Sequence, residues 1–111
     1  MSETPAATSY ADLTDELTIP PDGILSRTIY TDNQIKVVLF GFSAGQELSE
    51  HTAAIPAIIQ VISGTARLTL GAETLAARAG TWTHMPAHMP HSVLAETPLV
   101  FLLTLLRGGA E

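Results

Sequence analysis

Short apolar segments separated by turn residues run through this 111-residue chain and point to an all-β fold. Segments rich in Val, Ile, Leu and Thr that recur roughly every 8 to 12 residues are typical of β-sandwiches and barrels. The 3.6-residue periodicity of amphipathic helices is almost absent. We predict strands over residues 24–30, 35–42, 57–64, 65–71, 81–86, 91–95 and 99–106.

The remaining segments have weaker or mixed patterns. Residues 43–50 are predicted as a polar loop, and residues 72–80 as either a short helix or a strand followed by a turn. Residues 1–20 are polar, acidic and end in a proline turn, so we predict a flexible N-terminal arm there. The rest of the chain, 21–111, then forms one barrel domain.

Charge narrows the range of partners. Five basic residues face eleven acidic ones, which gives a net charge of −6. Nucleic-acid binding needs clustered Lys and Arg, so no nucleic-acid partner is expected. Anionic substrates and membrane surfaces are disfavoured for the same reason, whereas neutral small molecules and neutral polymers remain open. The chain has no cysteine, so neither thiolate ligands nor a thiol nucleophile exist.

The hydropathy pattern does not identify the cellular compartment of the protein. No apolar run reaches the roughly 18 to 20 residues of a membrane span. The N-terminus lacks the basic and apolar regions of a signal peptide. The compartment therefore stays open between the cytoplasm and secretion after removal of a leader.

A low charge content predicts self-association. Charged residues make up 14% of the chain and apolar residues 46%, whereas about 25% charged is usual. We expect a homodimer that covers the apolar surface left over. The segments 35–42 and 99–106 are apolar on both faces, so they are candidates for central or interface strands.

The chemistry-bearing residues of the chain lie in two motifs. The first contains Gly45, His51 after five residues, and Gly64 at its end, with Ala53 and Ala57 between the last two. The four histidines of the chain are His51 in this motif and three more in the segment 83–93.

The second motif begins at Gly80 and continues with Pro86, His88 and His91. Together the two motifs resemble those of the cupin superfamily, in particular small single-domain, cupin-2-like conserved barrels. The resemblance departs at three positions. Alanines replace the second histidine and the glutamate of the first motif, and His88 replaces a glycine of the second.

The resemblance implies a single-domain cupin jelly roll, also called a double-stranded β-barrel. It also implies that His51 and His91 point into the barrel as metal ligands. Alternation along residues 81–85 places Trp82 and His84 on one face of their strand. Because Trp82 is bulky and apolar, we expect this face to be the interior. His84 then becomes the third ligand, in the space that the lost glutamate would fill at Ala57.

A set of imidazole ligands favours certain metals. Imidazole suits copper, iron, zinc and nickel better than magnesium. We expect one transition-metal ion per subunit, with copper favoured over iron, and with zinc, nickel or manganese as alternatives. Met85 and Met89 are either soft sulfur ligands near the site or core residues.

The function that these expectations favour is oxidation of a neutral substrate with dioxygen or hydrogen peroxide. Oxidative attack on a carbohydrate or polysaccharide is one specific possibility. One alternative is a ligand-binding or sensor cupin without catalysis. The other is a non-redox metal cupin, such as an isomerase or lyase.

Three further side chains are candidates for roles around the metal. His88 is either a catalytic acid or base or a solvated loop residue. Gln60 is either a substrate contact, a further ligand, or a partner in a cross-strand or interface hydrogen bond. Trp82 is either a stacking platform for a flat substrate such as a sugar ring or a core residue.

Overall fold

A computed structural model of the chain describes residues 5–108, which form two β-sheets packed into a barrel. This confirms the predicted all-β jelly roll. A short 3-10 helix at Leu13–Glu16 comes first. Nine strands follow: β1 Ile24–Thr31, β2 Ile35–Phe42, β3 Glu47–His51, β4 Ala57–Ser63, β5 Thr65–Leu70, β6 Glu73–Arg78, β7 Trp82–Met85, β8 His91–Ala95 and β9 Leu99–Leu106.

The strands are divided between a five-stranded and a four-stranded sheet. The first has the order β1-β2-β9-β4-β7 and the second β3-β8-β5-β6, and every pairing is antiparallel. Alternate residues of both sheets face inward and form one apolar core between them. The core cluster consists of Phe42, Ala57, Ile59, Val61, Ala66, Leu68, Ala77, Met85, Val93, Ala95, Leu99 and Phe101.

The N-terminal segment covers part of the outer face of the five-stranded sheet. Tyr10, Leu13, Leu17 and Ile19 pack against a second cluster of sheet residues that includes Leu39. This contact explains why residues 35–42 and 99–106 are apolar on both faces. Their strands, β2 and β9, are central, and outward side chains such as Leu39 and Leu102 pack within the same chain. The expected homodimer stays a prediction.

Two contacts hold this segment against the sheet. The Tyr10 hydroxyl donates to the Ile29 carbonyl at 2.6 Å. Gly41 lets the Leu17 side chain lie close to β2, because a Cβ at position 41 would overlap Leu17. The mobility predicted for residues 1–20 stays a prediction. Residues 1–4 of that arm and residues 109–111 of the predicted barrel lie outside the described part.

Two of the weaker sequence patterns resolve into strands. The predicted loop at 43–50 contains most of β3, an edge strand whose residues are largely exposed and therefore polar. Residues 72–80 form β6 and a turn, in agreement with the strand alternative. Within residues 5–108, no helix is long and apolar enough to cross a membrane.

Asp32 closes the hairpin between β1 and β2. One carboxylate oxygen accepts from the Tyr30 hydroxyl at 2.7 Å, and the other accepts from the backbone N–H groups of Gln34 and Ile35 at 2.7 and 2.9 Å. The Tyr30 hydrogen bond first, and then the backbone bonds, lower the pKa of the Asp32 carboxyl below its ordinary value of 3.8. The charged form is therefore the one that stabilises the turn.

We expect Asp32→Ala to lower the urea midpoint of unfolding at neutral pH. A carboxyl with a lowered folded-state pKa stabilises the protein above its unfolded-state pKa and loses that contribution as the pH falls through the folded-state value. The difference between wild type and variant should therefore shrink below about pH 3.8. Asp15→Ala, an exposed acid of the 3-10 helix, is the control. A difference that stays constant from pH 7 to pH 2.5 would show that the charge of Asp32 plays no part.

Candidate metal centre

His51 and His91 form a pair at one end of the barrel. His51 is the last residue of β3 and His91 the first residue of β8, and they are direct cross-strand partners. Their ring centroids lie 4.1 Å apart with the ring planes at 60°. His91 is 8% exposed, whereas His51 is exposed to solvent. The pair therefore combines one interior imidazole with one at the rim.

Both rings are held by the same kind of hydrogen bond. Nδ1 of His51 lies 2.8 Å from the Ser49 carbonyl, and Nδ1 of His91 lies 2.9 Å from the Met89 carbonyl. A carbonyl oxygen only accepts, so each Nδ1 carries the hydrogen. In a neutral imidazole the lone pair is then on Nε2. This arrangement is how proteins orient metal-binding histidines and select their tautomer.

The loop between β7 and β8 is tied to the segment that follows His51. The backbone N–H of His88 donates to the Ala53 carbonyl at 2.7 Å. His88 has a φ of 68°, in the left-handed region that residues other than glycine rarely adopt. Its backbone therefore joins the two motif segments, while its imidazole is exposed. A catalytic role for this side chain stays a prediction.

The prediction that Trp82 and His84 face the barrel interior is wrong. Trp82 is 58% exposed and His84 is exposed, whereas Met85 is 2% exposed and belongs to the core cluster. The inward face of this strand therefore carries Thr83 and Met85. His84 lies on the opposite face from the interior, beside its cross-strand partner Ile58. The structure does not bring His84 to the histidine pair, so the expected convergence of three histidines is reduced to two, His51 and His91.

Gln60 and Trp82 lie together, but not at the histidine pair. They are cross-strand partners, both exposed on the outer face of the five-stranded sheet. Ile58 and His84 form the neighbouring cross-strand pair on the same face. The structure therefore groups the two predicted substrate contacts on the outer face, whereas His91 faces the interior.

The potential donors that the structure pairs at the barrel end are the imidazoles of His51 and His91. Ala57 is buried and faces the interior, and its methyl group offers no donor. Among residues 5–108, no group of three or more His, Cys, Asp or Glu is placed to hold a metal ion. Two imidazoles suit copper, iron, zinc or nickel rather than magnesium or calcium. The donor set fits a transition-metal ion that takes its remaining ligands from elsewhere.

A separate groove lies on the outer side of the barrel. It has a volume of about 390 Å³ and lies between the N-terminal segment and the β1–β2 hairpin. Its lining includes Tyr10, Ile29, Tyr30 and Val37, with no charged side chain among its residues. The groove belongs to the outer face of the five-stranded sheet, so it is distinct from the histidine pair.

Two antiparallel sheets closed into a barrel, with one histidine from each of two glycine-containing motifs paired at its end, are the defining arrangement of a cupin. Residues 38–105 match the model of the family described as Cupin domain, and the chain belongs to this family. No curated protein matches it.

Solved structures agree with this assignment. A conserved Streptococcus pyogenes protein of unknown function is 30% identical, with 99% of this chain and 98% of that one covered and a TM-score of 0.84. An RmlC-like cupin from Desulfovibrio desulfuricans is 25% identical, with 92% and 98% covered and a TM-score of 0.79. KdgF from Halomonas is 23% identical, with 82% and 84% covered and a TM-score of 0.72, which shows a shared fold.

The position of His84 leads to a mutational prediction. We expect His84→Ala to change the affinity for a transition-metal ion by less than about twofold, because separated groups act independently. Isothermal titration of the wild type and the variant with Cu(II) or Zn(II) measures this. A loss as large as that caused by His91→Ala would mean that His84 does reach the ion.

Proposed function

We propose that this cupin holds one transition-metal ion per chain through Nε2 of His51 and Nε2 of His91. Copper is favoured over iron, and the proposed activity is oxidation of a neutral substrate with dioxygen or hydrogen peroxide. The observation that carries the proposal is the matched pair of Nδ1–carbonyl hydrogen bonds, at 2.8 and 2.9 Å. With Nδ1 bonded to a carbonyl, Nε2 of each neutral ring holds the lone pair and is the nitrogen available to a metal ion.

A bound copper or iron ion would supply the redox chemistry that imidazoles lack, accepting electrons from the substrate and passing them to the oxidant. The chain holds the ion with two side chains, so coordination positions remain for other molecules. His91 is buried and His51 exposed, so solvent reaches the pair on its His51 side, at the rim. Substrate and oxidant would therefore approach from the open end of the barrel.

The surroundings of the pair favour uncharged substrates. Among the described buried residues the polar ones are Ser43 and His91, and the core cluster beneath the pair is apolar. The described core therefore offers no buried carboxylate or cation that could pair with a charged substrate. Together with the net charge of −6, this supports neutral molecules, including carbohydrates, as the class to test first.

The second candidate is a ligand-binding or sensor cupin without catalysis. Ala53 and Ala57 favour it, because they stand where the resemblance places two further ligands. A third candidate, a non-redox isomerase or lyase using zinc, nickel or manganese, fits the same two imidazoles. Metal identity and turnover separate the three.

The experiment combines metal binding with oxidant consumption. Purified chain is titrated with Cu(II), Fe(II) and Zn(II), and its copper-loaded form is studied by EPR for nitrogen coordination. Consumption of hydrogen peroxide or dioxygen is then followed with a panel of neutral sugars and small aromatics, with His91→Ala as the control. Absence of stoichiometric metal would contradict the proposal. Tight metal binding without turnover of any substrate would favour the binding module.

A further inference from the structure

Met85 is the residue on β7 that faces the barrel interior. It is 2% exposed and is the direct cross-strand partner of Ala57, which is 4% exposed. Side chains in such cross-strand pairs have Cβ atoms roughly 4.5 to 5.5 Å apart. Ala57 ends at its Cβ, so the longer Met85 side chain is the one that reaches into the interior at this pair.

Met85 also lies at the same end of the barrel as the histidine pair. It is the last residue of β7, and a five-residue loop, 86–90, leads to His91 at the start of β8. His51 is opposite His91 across the β3–β8 pairing. Ala57, the partner of Met85, is likewise the first residue of β4. Three buried positions at this end of the barrel, His91, Ala57 and Met85, therefore carry an imidazole, a methyl group and a thioether, and the exposed His51 adds a second imidazole at the rim.

Sulfur is unusual in this interior. The core cluster of described residues consists of Phe, Ala, Ile, Leu and Val with a single methionine, so Met85 holds the one side-chain heteroatom of that cluster. Met89, by comparison, is half-buried in the loop, and its backbone carbonyl accepts the hydrogen bond from His91 Nδ1. That hydrogen bond does not depend on the Met89 side chain.

We propose that the thioether of Met85 is the third protein ligand of the metal proposed at His51 and His91. This inference rests on the proposed metal site. Thioether sulfur is a soft ligand that favours Cu(I), whereas imidazole serves copper and zinc alike. The set of two imidazoles and one thioether therefore predicts a preference for Cu(I) over Zn(II). It makes Met85 the residue that determines metal specificity.

The test is Met85→Leu, with Met89→Leu as the matched control. Leucine keeps most of the volume of methionine and is tolerated in cores at a modest cost, so the barrel should fold. Cu(I) affinity is measured by competition with a chromophoric chelator, and Zn(II) affinity by isothermal titration. X-ray absorption of the Cu(I)-loaded wild type reports directly on a copper–sulfur shell.

We expect Met85→Leu to weaken Cu(I) binding by at least about tenfold, since even the loss of groups that support ligands reaches this size. Zn(II) affinity should change little, and Met89→Leu should behave as wild type. A copper–sulfur shell should be present in the wild type and absent in Met85→Leu. Equal Cu(I) affinity in both proteins, or a wild-type spectrum without sulfur, would overturn the inference.

These outcomes separate this inference from the proposed function. If the wild type binds no metal, both the proposed function and the proposed role of Met85 are wrong. If the wild type binds Cu(I) with nitrogen ligands alone, the histidine site stands and only the role of Met85 is wrong. The absorption spectrum of the wild type gives this result even if Met85→Leu folds poorly.

Discussion

Replacing His91 with alanine is expected to reduce the affinity for a transition-metal ion by at least about a hundredfold. Loss of a group that only supports a ligand typically lowers metal affinity about 10- to 100-fold, and loss of the ligand itself should cost more. His91 is the interior member of the pair, and alanine leaves only one imidazole at the barrel end. His51→Ala should have an effect of the same size. Isothermal titration with Cu(II), or competition with a chelator for tighter binding, gives the measurement.

The control for this prediction is His84→Ala, which removes an imidazole of the same kind from the outer face. A thermal melt of each variant shows whether the barrel is intact, since His91 is buried and its Nδ1 satisfies the Met89 carbonyl. If a folded His91→Ala protein binds metal as tightly as the wild type, the histidine pair is not the site.

Gly64→Ala is expected to cause the largest loss of stability. Gly64 has a φ of 88°, and a Cβ there would overlap the Pro98 carbonyl oxygen and lie 3.0 Å from Leu99 Cα. The left-handed conformation alone costs a side chain about 1 to 2 kcal/mol. Both neighbours are backbone atoms, so relief requires moving the turn after β4 or the start of β9. We expect Gly64→Ala to lower the free energy of unfolding by more than about 4 kcal/mol, which is a large part of the stability of a small domain.

Gly71→Ala is the matched control for the second prediction. Gly71 also has a positive φ, 62°, but a Cβ there meets no atom within 4 Å. We therefore expect Gly71→Ala to lower the free energy of unfolding by about 1 to 2 kcal/mol, the cost of the left-handed conformation alone. Urea unfolding of both variants measures the difference. Equal losses of stability would mean that the Pro98 contact is relieved without cost.

The positions of most strands along the chain were predictable from sequence, because most strands have one buried face. Residues 35–42 and 99–106 were predicted as strands, but their position in the sheet was open. Two apolar faces fit an interface as well as a central strand. The strand order makes both central. The N-terminal contacts that cover part of their outer face, such as Leu17 against Gly41, join residues far apart in sequence. Strand β3 was missed because an exposed edge strand has the composition of a loop.

The resemblance predicted that His51 and His91 lie side by side, and they do. Of the two, His91 is buried as expected, whereas His51 is exposed. Their role as metal ligands stays a prediction. The orientation of β7 was predicted from the size of Trp82, and this failed for a physical reason. Both faces of this four-residue strand carry an apolar residue, and Met85 is the one paired with buried Ala57. Strand pairing, rather than side-chain size, decides which of them is buried. The Nδ1–carbonyl bonds depend on local backbone geometry, which residue type alone does not specify.

A crystal structure of the copper-loaded protein, with anomalous scattering recorded at the copper edge, would locate the metal ion directly. We predict one copper peak per chain, within bonding distance of Nε2 of His51 and Nε2 of His91. A peak bound elsewhere, or no peak in protein shown to contain copper, would contradict it.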